Sequence, residues 1–432
     1  MPLARNKGED LNIPILSELF IRYLNITSVK WREWDLNNKK LVELYGFLVE
    51  LNEIKSLENI LMICRIISFI KKWSLKIIMR GENMRYDEKI KMFENVFAPK
   101  SGEKVLFLVD IPHNDIKDNK AWKDRREMAY EWYTIFRGMG TEAGFSVDWM
   151  QYEATGVHNS PMPLETLDIA QKSNLVIAMT EYSASSSLVP IAHNHNTITR
   201  CASMPMVEKR MEETAFKADY KEVQKYATVL HRMLNNAIAA EVKFSTRDKL
   251  FIDLRNRDAS SEAGDCTKKG QFINFPSGEA FKAPYEAEKD EIKPFGTSKT
   301  QGIWPVRYDS ELVKYIVKNN TIVEIIGEGK KAEEMRLFFK ENNSRRNIAE
   351  LGIGCNPKAV VTGNALEDEK VGLHIAYGMS IHIGGKVKSD THMDIVYAKN
   401  CPVEGSTLTL INKDGSTTEL IKDAILRYDL LK

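Results

Sequence analysis

The segment Lys104-Val-Leu-Phe-Leu-Val-Asp110 constrains the fold more than any other stretch. It holds five consecutive apolar residues, with Pro112 just beyond. A run that is apolar on both faces has no side to turn to water, so it predicts a strand covered on both faces, as in parallel sheets. Parallel strands need crossover helices, and the flanking sequence supplies them. Residues 86–97, 122–139 and 164–173 have helical spacing, and 145–149 and 175–179 read as strands. This alternation predicts a doubly wound α/β domain over residues 84–240. A long helical stretch, 211–240, is expected to close it.

After residue 240 the texture changes to short strands and Gly-rich turns. Strands are expected at 242–244, 249–254, 279–282, 321–326, 373–377 and 392–396. Residues 407–411 and 417–421 flank Asn412-Lys-Asp-Gly415 and predict a hairpin. One helix, 332–342, interrupts them. The expectation is a mixed, β-rich second domain over 241–432. Residues 1–83 form a third region, a helical extension of uncertain role. From Ile60 to Arg80 it holds five basic residues and no acidic one, the pattern of a basic amphipathic helix or of a helical lid. Met84 also reads as a possible natural start.

Composition narrows the class of partner. The chain has 61 Lys and Arg against 60 Asp and Glu, a formal net charge of +1, so no global nucleic-acid footprint is expected. Five scattered cysteines without a CxxC pair argue against a disulfide scaffold or a thiolate zinc site. The 60–79 stretch is the longest apolar candidate, but charges break it, so no stable membrane insertion is expected. The start lacks the pattern of a signal peptide, and a cytoplasmic location is the expectation.

Chemistry-bearing groups crowd into residues 279–394. His392 and Asp394 lie two apart in an alternating strand, on one face and about 6.6 Å apart along it. His374 sits in another apolar strand with small Ala376 two residues on. Glu279 follows a glycine between two prolines, and Glu350 precedes an apolar Gly-rich segment that solvates it poorly. Two Glu, two His and one Asp suit one or two divalent ions such as Zn²⁺, Co²⁺ or Mn²⁺, and such ions lower the pKa of a bound water. His193 and His195 form an HxH pair that reads as structural, and Cys355 reads as a buried spectator. No P-loop or GxGxxG follows the 104–110 strand, so no nucleotide cofactor is expected. No GxSxG elbow is present either.

Several motifs together carry a family resemblance. Asn274-Phe-Pro-Ser-Gly-Glu279-Ala-Phe-Lys-Ala-Pro284, Glu350-Leu-Gly-Ile-Gly-Cys-Asn356, Leu366-Glu-Asp-Glu-Lys370 through His374-Ile-Ala-Tyr-Gly378, and His392-Met-Asp394 resemble, in order and spacing, the motifs of the thermophilic metalloaminopeptidases of aminopeptidase T/S type. The likeness runs from about Met84 to the C-terminus. It implies an α/β domain followed by a metal-binding catalytic domain, a homodimer, a peptide or small-molecule substrate, and removal of N-terminal residues by a metal-activated water. Glu279, Glu350, His374, His392 and Asp394 carry over as metal ligands, with Glu279 or Glu350 as the catalytic carboxylate.

One departure is visible. The tyrosine that such peptidases carry seven residues after the first metal His is Ile381 here, next to His382. A bulge or loop would be needed to turn His382 inward as a further ligand. A related branch resembles 2,5-dihydroxypyridine dioxygenases. In that reading His374, His392 and Asp394 would form a two-His, one-carboxylate site for Fe²⁺. A third reading is a degenerate, non-enzymatic dimeric binding module.

Overall fold

The computed structural model of the chain describes residues 84–432. The expected helical extension over 1–83, with its basic stripe, lies outside the described residues. In chain order the helices are α1 (Tyr86–Val96), α2 (Lys120–Ala143), α3 (Leu164–Ala170), α4 (Ser185–His193), α5 (Tyr220–Asn236), α6 (Lys289–Phe295), α7 (Lys330–Glu341) and α8 (Ala365–Asp368).

The parallel sheet contains β1 (Lys104–Ile111), β2 (Ser146–Glu153), β3 (Leu175–Ala178), β4 (Arg200–Ser203) and β8 (Phe272–Asn274), in the order β2-β1-β3-β4-β8. Val105 to Val109 are buried, as a strand covered on both faces requires. Phe107 and Ile177 pack with Trp132 and Phe136 of α2 on one face, and Leu106 and Val176 pack with Ala170 of α3 and Leu188 of α4 on the other. Asn119 caps α2 by accepting from the Trp122 amide, and Gly144 ends it in the left-handed conformation. Strand order reverses between β1 and β3, where open α/β sheets bind ligands. Here Asp110 fills that crevice, accepting from Trp122 Nε1 at 2.8 Å and from the amides of Glu181 and Tyr182 at 2.8 and 3.0 Å.

The other strands are antiparallel and form two sheets. The larger runs β12 (Thr321–Ile326), β11 (Glu311–Lys318), β10 (Gln301–Tyr308), β6 (Lys249–Asp253), β5 (Ala237–Phe244), β16 (Gly405–Asn412), β17 (Thr417–Lys422), β18 (Ile425–Leu426). The smaller runs β15 (His392–Val396), β14 (Leu373–Gly378), β13 (Ile348–Gly354), β9 (Glu279–Lys282), β7 (Ala259–Glu262). Their shared core includes Leu351, Ile353, Leu373 and Ile375 of the smaller sheet, Val242 and Leu408 of the larger, and Leu230 and Leu234 of α5. Strand β8 comes from beyond residue 240 yet adds to the parallel sheet, and Glu82–Lys432 is one compact unit.

One local expectation is corrected. The stretch 211–240 is not one helix: its first part forms two 3-10 turns, Lys209–Glu212 and Ala215–Lys217, and α5 starts only after Asp219, which caps Lys221. Ala237 to Ala240, good helix formers, are strand because β5 pairs with β6 and β16 on either side; tertiary pairing outweighs a propensity of a few tenths of a kcal/mol per residue. Strands β4, β7, β8, β10, β11, β13 and β18 were not anticipated; Pro305 masks the pattern of β10, and its glycines mask that of β13.

Candidate metal centre

The smaller sheet builds the site through its register. In an antiparallel ladder directly opposed residues share a face. Glu279 of β9 opposes Gly354, His374 of β14 opposes Gly352, Glu350 and Asp394 both oppose Ala376, and His392 opposes Gly378. All five donors therefore lie on one face, each across from a residue with little or no side chain. The opposite face, through Leu351, Ile353 and Ile375, is buried in the core. The bare positions make the room: a Cβ on Gly352 would stand 1.8 Å from His374 Nε2. At the entry to β9 the chain needs φ +126° at Gly278, and a Cβ there would crowd Asn356.

The donors converge. His374 Nε2 lies 3.3 Å from Glu350 Oε1 and 3.3 Å from Glu279 Oε2. His392 Nε2 lies 3.3 Å from Glu350 Oε2 and 3.2 Å from Asp394 Oδ2. Glu350 is thus shared by both imidazoles. Among the described residues, Glu350, His374 and Asp394 bring ligand atoms within 4.8 Å of one another. Each histidine uses its other nitrogen on the backbone: His374 Nδ1 donates to Gly372 O at 3.3 Å and His392 Nδ1 to Met379 O at 2.6 Å. That arrangement directs both Nε2 atoms into the cluster, as metal-ligating histidines require.

The electrostatics match a cation site. Burial opposes the shift, but both imidazoles hold the Glu350 carboxyl well below its usual range. Burial likewise opposes, but the neighbouring carboxylates raise His374 to about 9 and lift His392 well above its ordinary value. A divalent ion would take over the charge those protons carry. Glu279 Oε2 and Asp394 Oδ1 are buried with no hydrogen-bond donor. Buried carboxylate oxygens without donors are costly unless a cation completes them, so the residues present fit a divalent ion.

His382 stands in a 3-10 turn, Ile381–Ile383, between β14 and β15. Its ring meets that of His392 edge to face at 4.6 Å, with its remaining edge exposed. Burial of the packed edge and the charge of His392 hold it below its ordinary value. The turn is tied down through Glu286, which accepts from Ser380 Oγ and from the Lys386 amide at 2.9 Å and pairs with Arg257. Ile381 points to solvent. His193 and His195 are exposed, on and just past the end of α4, and are not among these donors. Cys355 is buried beneath Glu279, and burial pushes its thiol up.

Sequence reasoning missed a second set of groups. Lys370 is fully buried, with Nζ 2.5 Å from Glu279 Oε1, 3.2 Å from Glu369 Oε2 and 3.6 Å from Glu262 Oε2. Burial pulls this ammonium down, but the three carboxylates raise it well above its ordinary value. Glu262 accepts from Asn274 Nδ2 at 2.9 Å, and Asn274 meets Ser185 at the start of α4. A polar path therefore links the carboxyl end of the parallel sheet to the donor cluster. The only signal in the sequence was that Glu369 and Lys370 lie inside the motif leading to His374.

Residues 139–407 match a family model described as NicX: 2,5-dihydroxypyridine 5,6-dioxygenase. The chain belongs to this family. No curated protein gave a significant match. Among solved structures, 2,5-dihydroxypyridine dioxygenase from Pseudomonas putida KT2440 aligns with a TM-score of 0.56 at 16% identity, covering 79% of this chain and 98% of that one. Wild-type AmpT from Thermus thermophilus aligns with a TM-score of 0.51 at 13% identity, covering 79% of this chain and 99% of that one. At these identities the likeness concerns the fold. Both lines of resemblance read from the motifs recur among the NicX family member's structural neighbours. Among the described residues no helix is long and apolar enough to cross a membrane.

Proposed function

We propose that this chain is a mononuclear, Fe²⁺-dependent dioxygenase that opens a hydroxylated nitrogen-heteroaromatic ring. The observation that carries the reading is the family match over residues 139–407, and the donor set supports it. His374, His392 and Asp394 supply two imidazoles and a carboxylate, the combination that suits iron with positions left for oxygen and substrate. Glu350, between the imidazoles, completes the charge balance. Iron in this setting supplies the one-electron chemistry that O₂ requires.

The protein's own groups do the rest. Gly372 and Met379 carbonyls fix both imidazoles by accepting their Nδ1 protons. His382, with one ring edge open to solvent and its pKa lowered, is placed to take a proton from a substrate hydroxyl at the mouth of the site.

A second reading is the metal-dependent aminopeptidase. One observation favours it: Glu279 and Glu350 both reach the cluster, and a three-donor iron site does not require them. The test is reconstitution of the full chain with Fe²⁺ under anaerobic conditions, followed by oxygen-uptake measurement with 2,5-dihydroxypyridine. A parallel sample receives Co²⁺, Zn²⁺ or Mn²⁺ and a dipeptide panel. Oxygen uptake with loss of ring absorbance supports the first reading. Peptide hydrolysis with no oxygen uptake in the iron-loaded sample replaces it with the second. Neither activity, with no metal retained, leaves the non-enzymatic module.

A further inference from the structure

The donor face of the smaller sheet carries a single phenyl ring among its strand residues. Phe281 of β9 opposes Gly352 of β13, Gly352 opposes His374 of β14, and His374 opposes Val396 of β15. On its other side Phe281 opposes Ser260 of the edge strand β7. Opposed residues share a face, so Phe281 stands on the same face as Glu279, Glu350, His374, His392 and Asp394. The other side chains of that face are charged, small or, at Val396, aliphatic.

Phe281 is apolar yet belongs to none of the three cores of the described residues. It is only half-buried, whereas its strand neighbours Ala280 and Lys282 are buried. Its flanks are open: Gly352 has no side chain, and Ser260 is small and exposed. The turn that carries His382 is fastened near the ends of the same two strands. Ser380 Oγ donates to Glu286, beyond the end of β9, and a Cβ on Gly384 would stand 3.9 Å from the Asp258 carbonyl oxygen, just before β7. Phe281 thus stands in the row of His374, and His382 stands beside His392. A partly open aromatic ring next to a few convergent polar groups is how small-molecule pockets are walled.

We propose that Phe281 is the ring-recognising residue of this site: the flat heteroaromatic ring of the substrate lies against its phenyl ring while the substrate's hydroxyl groups face the donors. The inference rests on the dioxygenase reading above and deepens it, by naming the residue that selects planar aromatic substrates over aliphatic ones. Offset or edge-on aromatic rings attract at centroid separations of about 4.5–7 Å, through their quadrupoles and their large contact area. A hydroxylated pyridine offers a flat face for that contact and polar groups on its edge for the cluster. A dipeptide with aliphatic side chains offers no such face.

The test uses the full chain loaded with Zn²⁺, which has no redox chemistry, so that binding is read without turnover. Calorimetry under argon measures the affinity for 2,5-dihydroxypyridine and for acetohydroxamate, an aliphatic metal binder. Oxygen uptake by the Fe²⁺-loaded protein is measured alongside. Phe281→Leu should weaken binding of the pyridine roughly 3- to 10-fold, and in the Fe²⁺-loaded enzyme it should raise KM more than it lowers kcat. Phe281→Tyr keeps the ring and should bind the pyridine nearly as wild type does. Acetohydroxamate affinity and metal content should be alike in all three proteins.

Pyridine binding by Phe281→Leu at wild-type affinity would overturn the proposal and leave the dioxygenase reading standing. An equal loss of acetohydroxamate affinity would also overturn it, because Phe281 would then be supporting the metal donors rather than the ring. Wild-type protein that holds metal but neither binds the pyridine nor takes up oxygen would overturn the dioxygenase reading and the proposal with it. Should Phe281→Leu fail to fold, Phe281→Met, closer in length and flexible, decides by the same criteria.

Discussion

The His374 imidazole lies directly over Gly352, the residue opposite it in the ladder, with room for a hydrogen but not a methyl group. Gly352→Ala should displace the ring and pull Nε2 away from Glu350 and Glu279. Disturbing how a ligand is held weakens metal binding by roughly 10–100-fold. Competition titration with a metal indicator would measure it. Binding at wild-type affinity would show that His374 is not a ligand.

His392→Ala removes an imidazole and leaves a carboxylate-rich cluster. Its preference should move away from Fe²⁺ toward the harder Mn²⁺ or Mg²⁺. Activity should fall by orders of magnitude. Folding should survive, since the side chain is on an edge strand and the β14 ladder is backbone-made. His382→Ala should leave metal affinity nearly unchanged. Equal losses of bound metal in the two variants would make His382 a ligand.

Acid should weaken the turn that carries His382. The hydrogen bond from Arg257 lowers the Glu291 pKa from 4.5 to about 2. A carboxylate with a depressed folded pKa contributes stability that is present above the unfolded value and is lost as pH falls through the folded one. The melting-temperature advantage of wild type over Glu291→Gln should therefore be full above about pH 5 and shrink toward about pH 2. A constant gap across that range would contradict the assignment.

Cys355 should resist alkylation in the folded protein. Burial, and then the Glu279 carboxylate beside it, push its thiol far above the working range. Among the four cysteines of the described residues, peptide mass spectrometry after iodoacetamide should find Cys401, which is only half-buried, modified first. Rapid labelling of Cys355 at neutral pH would show that the site region opens.

Residues 84–432 should fold without the preceding segment. The three cores of the described residues draw on side chains from Met84 onward, and Glu82–Lys432 forms one compact unit. Circular dichroism and metal titration of that fragment would check it. Aggregation would mean that residues 1–83 cover apolar surface.

The sequence by itself determined the elements whose pattern is local. Val105 to Val109 fixed a strand covered on both faces, because an uninterrupted apolar run has no solvent side. Residues 321–326 and 392–396 were legible to the residue, since alternation is a property of the strand alone. That Glu279, Glu350, His374, His392 and Asp394 carry metal-ligating chemistry was also legible, from residue type and motif order.

Only the tertiary structure decided how those donors meet. Their convergence depends on register between strands far apart in sequence, which places Glu279 against Gly354 and His374 against Gly352. Glycine and alanine carry no chemical signal of their own, so their role as the space for larger neighbours emerges only once strands pair. Ala237 to Ala240 became strand for the same reason: partners on both sides outweighed local preference. Lys370 shows the limit most clearly. A lysine in a charged stretch reads as a solvated residue, and only the packing of its backbone on Gly354 buries its ammonium among three carboxylates.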